Sequence, residues 1–244
     1  AGCFDVQSGV YTINVQEQSG SGTVTDQDGN IYDYLTYGNQ VWTVENAEMV
    51  TYRDGTPIPQ VTDNAEWTTS LTTGAWAYYD NDPTKGKLYN WYAVMGIHDT
   101  ASLSDSSLRK EFALEGWHVP SDAEWTTLEN YLIGYGYNYD GTITGNKIAK
   151  SMASTTGWNS SSTIGGPGNG QSTNNSSGFN AFPVGQRSNT SGFDREGENA
   201  IFWSTTEWDV NPDWSAFCRI LNYNNNYVLS YTSFSKHWGF SVRF

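Results

Sequence analysis

The sequence predicts a mixed α+β chain. Three observations carry that reading. Short alternating stretches bounded by turn residues lie toward both ends, two stretches of helical periodicity lie between them, and the aromatic content needs a packed core. Phe, Trp and Tyr make up 15% of the 244 residues, with 11 Trp and 16 Tyr. A disordered chain lacks such residues, and a chain of this length has ample material for a core.

The elements follow in order. Val10-Tyr11-Thr12-Ile13-Asn14-Val15 alternates in the period of a strand, and Ser19-Gly20-Ser21-Gly22 reads as a linker-like break. Asp28-Gly29-Asn30 sits between Thr23-Val24-Thr25 and Ile31-Tyr32 as a hairpin turn does, and Tyr37-Gly38-Asn39-Gln40 makes a second turn before Val41-Trp42-Thr43-Val44. Asp54-Gly55-Thr56-Pro57-Ile58-Pro59 is a loop. The spacing of Leu88, Trp91, Tyr92 and Met95 predicts a helix over 86–95. Ser121 and Glu124 stand in capping-box spacing ahead of the stripe Trp125, Leu128, Leu132, with Gly134 and Gly136 to end that helix. Residues 154–197 are rich in Gly, Ser, Asn and Thr and read as a long loop, with Phe179-Asn180-Ala181-Phe182-Pro183 as an anchor within it. Strands return at 201–204, 216–221, 227–229 and 239–244.

Charge narrows the partners. Lys and Arg number 12 against 26 Asp and Glu, a net charge of −14. So acidic a surface repels phosphate backbones, which argues against nucleic acid. No apolar run is long enough to span a bilayer, and the start at Ala1-Gly2-Cys3 reads as a mature or trimmed one. Only 16% of residues are charged, and polarity comes from Asn, Ser, Thr and Gly, a composition typical of secreted or surface proteins. The two cysteines, Cys3 and Cys218, leave three readings open: a disulfide in an oxidising compartment, a lipid anchor at Cys3, or free thiols.

Several ordered blocks carry a resemblance. They run from Val24-Thr25-Asp26 and Asp28-Gly29-Asn30-Ile31-Tyr32 through Gly38-Asn39-Gln40-Val41-Trp42 and Leu88-Tyr89-Asn90-Trp91-Tyr92-Ala93-Val94. They continue through Gly116-Trp117-His118-Val119-Pro120-Ser121-Asp122-Ala123-Glu124-Trp125, Trp203-Ser204-Thr205-Thr206-Glu207 and Gly239-Phe240-Ser241-Val242-Arg243. In these the chain resembles the Fibrobacter succinogenes major paralogous domain family over residues 24–244, leaving 1–23 as an N-terminal extension. The resemblance implies an α+β domain of C-type-lectin-like fold, related to the sulfatase-modifying domain, with two helices, a twisted antiparallel sheet and long loops on one side. The family's usual cysteines, before Gly-Trp-His-Val-Pro and after Ser-Val-Arg, are absent here. A Cys3–Cys218 bridge could replace their disulfide.

The chemistry that follows is binding rather than catalysis. The sulfatase-modifying relatives are oxidases with a reactive cysteine pair, which the matched region lacks. His98, His118 and His237 show no metal-ligand spacing, and His118 reads as a packing histidine. Asp26 and Asp28, and Asp80 and Asp82, are weak calcium candidates for which simple turns are the favoured reading; no other cofactor is implied. The segment from Trp208 to Trp238 is rich in Tyr, Asn and Ser, which is the chemistry of adaptable recognition surfaces and equally that of a surface meander with a polar turn at Asn224-Asn225-Asn226. In the fold resembled it forms the variable binding face. Trp208, Trp214, Tyr223, Asn225, Tyr227 and Tyr231 are the expected ligand-binding residues, with Tyr223, Asn225 and Tyr227 sharing a face if that stretch is extended. Trp117, Trp125, Trp203 and Phe240 are expected in the core. The function expected is a non-enzymatic extracellular binding module or adhesin for a glycan or surface protein. The alternative is a structural subunit of an extracellular fibre, a homo-oligomer joined through its N-terminal strand.

Overall fold

Hairpins supply the sheets. In the computed structural model, which describes residues 20–190 and 192–244, β1 (Ser21–Thr25), β2 (Ile31–Tyr37) and β3 (Gln40–Thr43) form an antiparallel meander. Both expected turns join its strands. Next come the hairpin of β4 (Trp76–Tyr78) and β5 (Lys87–Tyr89), then α1 (Trp91–Val94), α2 (Thr100–Ser104), α3 (Asp122–Gly134) and α4 (Ala149–Met152). A hairpin of β6 (Gln186–Ser188) and β7 (Gly192–Asp194) precedes a second meander, β8 (Asn199–Glu207), β9 (Ser215–Asn222) and β10 (Leu229–Ser235), with β9 central. The architecture is α+β: four α-helices and several small antiparallel sheets among the described residues, where one sheet and two helices were expected. Cys3 and the strand expected over 10–15 lie outside the described residues. The expected domain start at residue 24 falls inside β1, and Ser21 and Gly22 of the expected break are strand residues.

The C-terminal run stitches these pieces together. Gly239 bridges to Arg187 of β6, Phe240 to Tyr89 of β5 and Ser241 to Phe202 of β8. The Thr43 N–H of β3 donates to the Phe244 carbonyl at 2.9 Å. The segment expected as a strand is therefore extended, but it gives successive residues to different sheets.

Strand alternation makes two cores. Ile201 and Trp203 of β8, with Ala216, Cys218 and Ile220 of β9, face one cluster that includes Tyr89, Trp91, Phe112, Phe240 and Val242. Ala200 and Phe202, with Leu221, face the other, built on Trp125, Leu128 and Leu132 of α3 with Trp42 and Phe179. Successive residues of a strand point to opposite faces, so one meander divides two cores. Cys218 sits in its central strand as a free thiol, 0% exposed. Burial pushes that thiol up. The structure thus gives no support to the bridge expected at Cys218.

Helix α3 forms as its sequence predicts. The Ser121 hydroxyl accepts from the Glu124 N–H at 3.3 Å and the Glu124 carboxylate accepts from the Ser121 N–H at 2.8 Å, a reciprocal cap. Gly136, at φ 81°, takes the left-handed turn that ends the helix. Buried Arg219 of β9 bonds Asp122 and Glu129 of α3 and so fixes the helix to the sheet. Burial pushes the Glu129 carboxyl up against the pull of that guanidinium.

The helix expected over 86–95 is shorter. Lys87–Tyr89 pairs with β4, and Asn90 then caps a single turn, its side chain accepting from the Ala93 N–H at 2.9 Å. A strand buried on both faces mimics helical spacing when one turn of helix follows it. The 154–197 segment has more structure than expected. Asn174 donates to the Ser154 and Pro167 carbonyls, and Gln171 and Trp158 exchange two hydrogen bonds. Its amide side chains thus satisfy backbone groups that no sheet reaches. Phe179 anchors it at 0% exposed, whereas Phe182 of the same expected anchor is exposed.

Candidate functional site

The second meander positions the expected binding residues. β9 carries about 23 Å of chain at ~3.3 Å per residue, and the six residues spread along that length. Trp208 and Trp214 lie in the β8–β9 connection, where the Trp208 N–H donates to the Ser215 carbonyl at 3.0 Å. Tyr231 lies within β10, paired in register with Cys218. Tyr223, Asn225 and Tyr227 lie at the far end, in the β9–β10 connection. That connection is a turn and not an extended stretch: the Asn225 N–H donates to the Asn222 carbonyl at 3.1 Å. The alternation expected over 223–227 therefore does not apply. Tyr223 packs against the α3 core, and Asn225 donates to the Tyr227 hydroxyl at 3.4 Å.

Of the six, Trp214 (41%), Tyr227 (41%) and Tyr231 (39%) are exposed. Two of them rest on another ring. Trp214 lies 5.0 Å from the His237 ring and Tyr231 lies 4.8 Å from Phe234. Phe234 in turn contacts Phe240, which stacks at 4.4 Å on Trp203 in the core. His237 is buried, and burial holds its imidazole below the ordinary value. Exposed rings at this edge are thus the outer members of aromatic stacks rooted in the interior.

A second feature was not foreseen in the sequence. The β1–β2–β3 meander and the loop ahead of α3 enclose a cleft of about 550 Å³. Tyr34, Asn39, Gln40 and Val41 line one side, and Trp117, His118 and Glu124 line the other. Tyr34 stands opposite Gly22 in register, where a Cβ would come within 2.6 Å of its hydroxyl. Glycine therefore lets the ring lie across β1 toward Trp117, whose centroid is 5.8 Å away at an interplanar angle of 55°. Trp117 is only half-buried, not the core residue expected. Arg53 pins its loop from behind, donating to the Ala113 and Leu114 carbonyls at 2.9 Å each.

His118 also departs from expectation. Its side chain is 70% exposed, and Nε2 lies 2.7 Å from a Glu124 oxygen. Burial pushes the Glu124 carboxyl up, but bonds from the Ser121 N–H and hydroxyl and from His118 outweigh this and hold it below its ordinary value. Ser121 and His118 thus bond the same carboxylate. The imidazole is not placed between serine and acid, as activation of a serine nucleophile requires. The arrangement offers hydrogen-bonding groups. The signal for this cleft was the Gly116-Trp117-His118 run, a large ring beside a glycine and a polar side chain just ahead of a helix cap.

Three of the four carboxylates weighed for calcium accept hydrogen bonds from the protein. Asp26 accepts from the Asp28 and Asn30 N–H groups, the Asn30 amide and the Tyr32 hydroxyl. Asp28 accepts from the Val50 and Thr51 N–H groups and the Thr51 hydroxyl. Asp82 accepts from the Thr84 N–H and hydroxyl, and Asp80 takes a positive φ of 56° in a 3-10 turn. Among the described residues no three His, Cys, Asp or Glu side chains converge as a metal site, and no helix is long and apolar enough to cross a membrane.

The family model of the Fibrobacter succinogenes major domain matches residues 35–244. The chain belongs to this family. The Fibrobacter succinogenes major domain thus takes in α3, both cores, the second meander and the Trp117 side of the cleft, and begins within β2, one residue past Tyr34. No curated protein and no solved structure matches the chain.

Proposed function

We propose that the protein is a non-enzymatic binding module or adhesin of C-type-lectin-like fold, at the cell surface or outside the cell, that recognises a glycan or a surface protein. One observation carries this reading. Trp214 and Tyr231 expose about two-fifths of their surface while one side of each ring rests on another ring. A ring held in this way loses little freedom when a ligand stacks on it, which suits recognition. Trp208 and the exposed Val210 lie in the same β8–β9 connection as Trp214. Tyr223, Asn225 and Tyr227, at the opposite end, would serve a ligand long enough to follow the sheet.

The test is a glycan array and a panel of extracellular proteins, followed by variants against any ligand found. Trp214→Ala and Tyr231→Ala should each weaken binding by about 1–2 kcal/mol, the scale of an interface hot spot, with the far-UV spectrum unchanged. Wild-type binding by both variants would remove this surface from the reading.

The sheet edge favours a second reading, the structural subunit. β10 is the outer strand of its sheet, and an unpaired edge can accept a strand from a neighbour. The N-terminal strand proposed to join subunits lies outside the described residues. Mass in solution separates the readings: a concentration-dependent polymer supports the subunit, and a monomer supports the module.

A further inference from the structure

We propose that the cleft between the first meander and the Trp117 loop is a second binding site, distinct from the β10 edge, and that it takes a ring of a neutral sugar. Two aromatic rings stand in its walls. Tyr34 and Trp117 meet at 55° with centroids 5.8 Å apart, a notch of two ring surfaces rather than a closed stack. Trp117 is half-buried, so the ring is fixed on one side and open on the other. A sugar ring offers apolar C–H faces to such a surface and hydroxyls around its rim.

The rim of the cleft matches those hydroxyls. Asn39, Gln40, His118 and Glu124 stand around the aromatic notch. Gln40 is fixed in place, donating to the Glu124 carbonyl at 3.1 Å and accepting from the Trp42 indole at 3.4 Å. An ionised carboxylate has about four acceptor positions. Glu124 fills them in part, with the Ser121 N–H and hydroxyl on one oxygen and His118 on the other. It retains capacity for a hydroxyl donor, and the helix cap already holds it in position. Such a group need not be ordered at the moment of binding.

Charge decides between sugar classes. Among the described residues no Lys or Arg lines the cleft, and the chain carries −14 overall. An acidic sugar or a phosphate would meet the Glu124 carboxylate with no lysine or arginine in the described lining to offset it. A wholly apolar ligand would cover the remaining hydrogen-bonding capacity of Glu124 without supplying a partner for it. A neutral polyhydroxylated ring satisfies both the notch and its rim. The volume, about 550 Å³, lies inside the ~300–1,000 Å³ usual for small-molecule sites.

The experiment is a titration of the full chain with neutral oligosaccharides (gluco-, manno-, xylo- and galacto-series) and with an oligogalacturonate, read by tryptophan fluorescence and calorimetry. At least one neutral series should bind, and the oligogalacturonate should not. Trp117→Ala should weaken that binding at least about tenfold, as expected for a stacking hot spot, and Trp117→Phe should restore most of it. The phenylalanine variant also guards against a folding defect. Loss of that binding in Trp117→Ala with recovery in Trp117→Phe assigns it to the cleft rather than to the β10 edge. Three results would overturn the proposal: no neutral series binds, the acidic oligomer binds more tightly, or Trp117→Ala binds as wild type.

Discussion

Two aromatic groups in this molecule, both in contact with the first meander, differ in cover. Trp42, Trp125, Phe179 and Phe202 touch one another at centroid distances of 4.7–6.2 Å between the first meander, α3 and β8, and all four are buried. Tyr34 and Trp117 touch at 5.8 Å, but their pair lies at a cleft and neither is fully covered. Both groups lie on the same first meander. What separates them is whether a third element closes over the rings. For the first group α3 does so, and for the second nothing among the described residues does. A ring covered on all sides contributes stability. A ring covered on one side is held ready and leaves its other side for a ligand.

The largest expected effect tests that contrast directly. Trp125→Ala should destabilise the fold by about 3–5 kcal/mol, the usual cost of emptying a large core site, measured by urea unfolding. Trp117→Ala should cost no more than about 1–2 kcal/mol, since partial burial forfeits only part of the transfer free energy. Equal losses at the two sites would mean that Trp117 is a core residue after all, and the contrast would fail.

A smaller effect sharpens it. Ser121 caps α3, and its hydroxyl also bonds the Glu124 carboxylate that lines the cleft. Ser121→Ala should cost about 1 kcal/mol, as loss of an N-cap does, and it should also weaken any ligand of the cleft. A stability loss with unchanged cleft binding would show that the core and cleft roles of the α3 N-terminus are independent.

The smallest effect lies away from both groups. The Lys147 ammonium and the Thr142 hydroxyl hold the Asp140 carboxyl down at about 2, from an ordinary value of 3.8. A depressed carboxyl adds stability that is present above its unfolded value and is lost as pH falls through the folded one. The window is therefore pH 4 to 2, and Asp140→Asn should flatten the melting temperature across it. The carboxyl is at the surface, so the change should be small. It should leave both aromatic groups as they were. A large loss would make the Asp140 loop part of the core.

Legibility followed the range of the interactions. α3 was readable because its cap, stripe and stop lie within sixteen residues of one another, from Ser121 to Gly136. The hairpin turns at Asp28-Gly29 and Gly38-Asn39 were readable for the same reason. Residues 86–95 misled because a doubly buried strand followed by a one-turn helix has apolar residues at helical intervals. Of the candidate site, residue types were readable and grouping was not. The Asn224-Asn225-Asn226 run carries a local turn signal, but nothing local states that Tyr223 and Tyr227 end up at the opposite end of the sheet from Trp208 and Trp214. Trp117 was read as core because a tryptophan's cover comes from elements far along the chain.

The sequence by itself determined the two turns of the first meander and the capped helix α3, since those rest on neighbours a few residues apart. It also determined the acidic charge and the supply of aromatic rings. Tertiary structure alone decided how the C-terminal run from Gly239 to Phe244 is shared among four strands, and which rings receive a cover. It also decided that Tyr34 meets Trp117 across eighty-three residues of chain. The physical reason is one of range. Hydrogen-bonded turns and caps close locally. A ring's exposure depends on packing between elements that no sequence window contains.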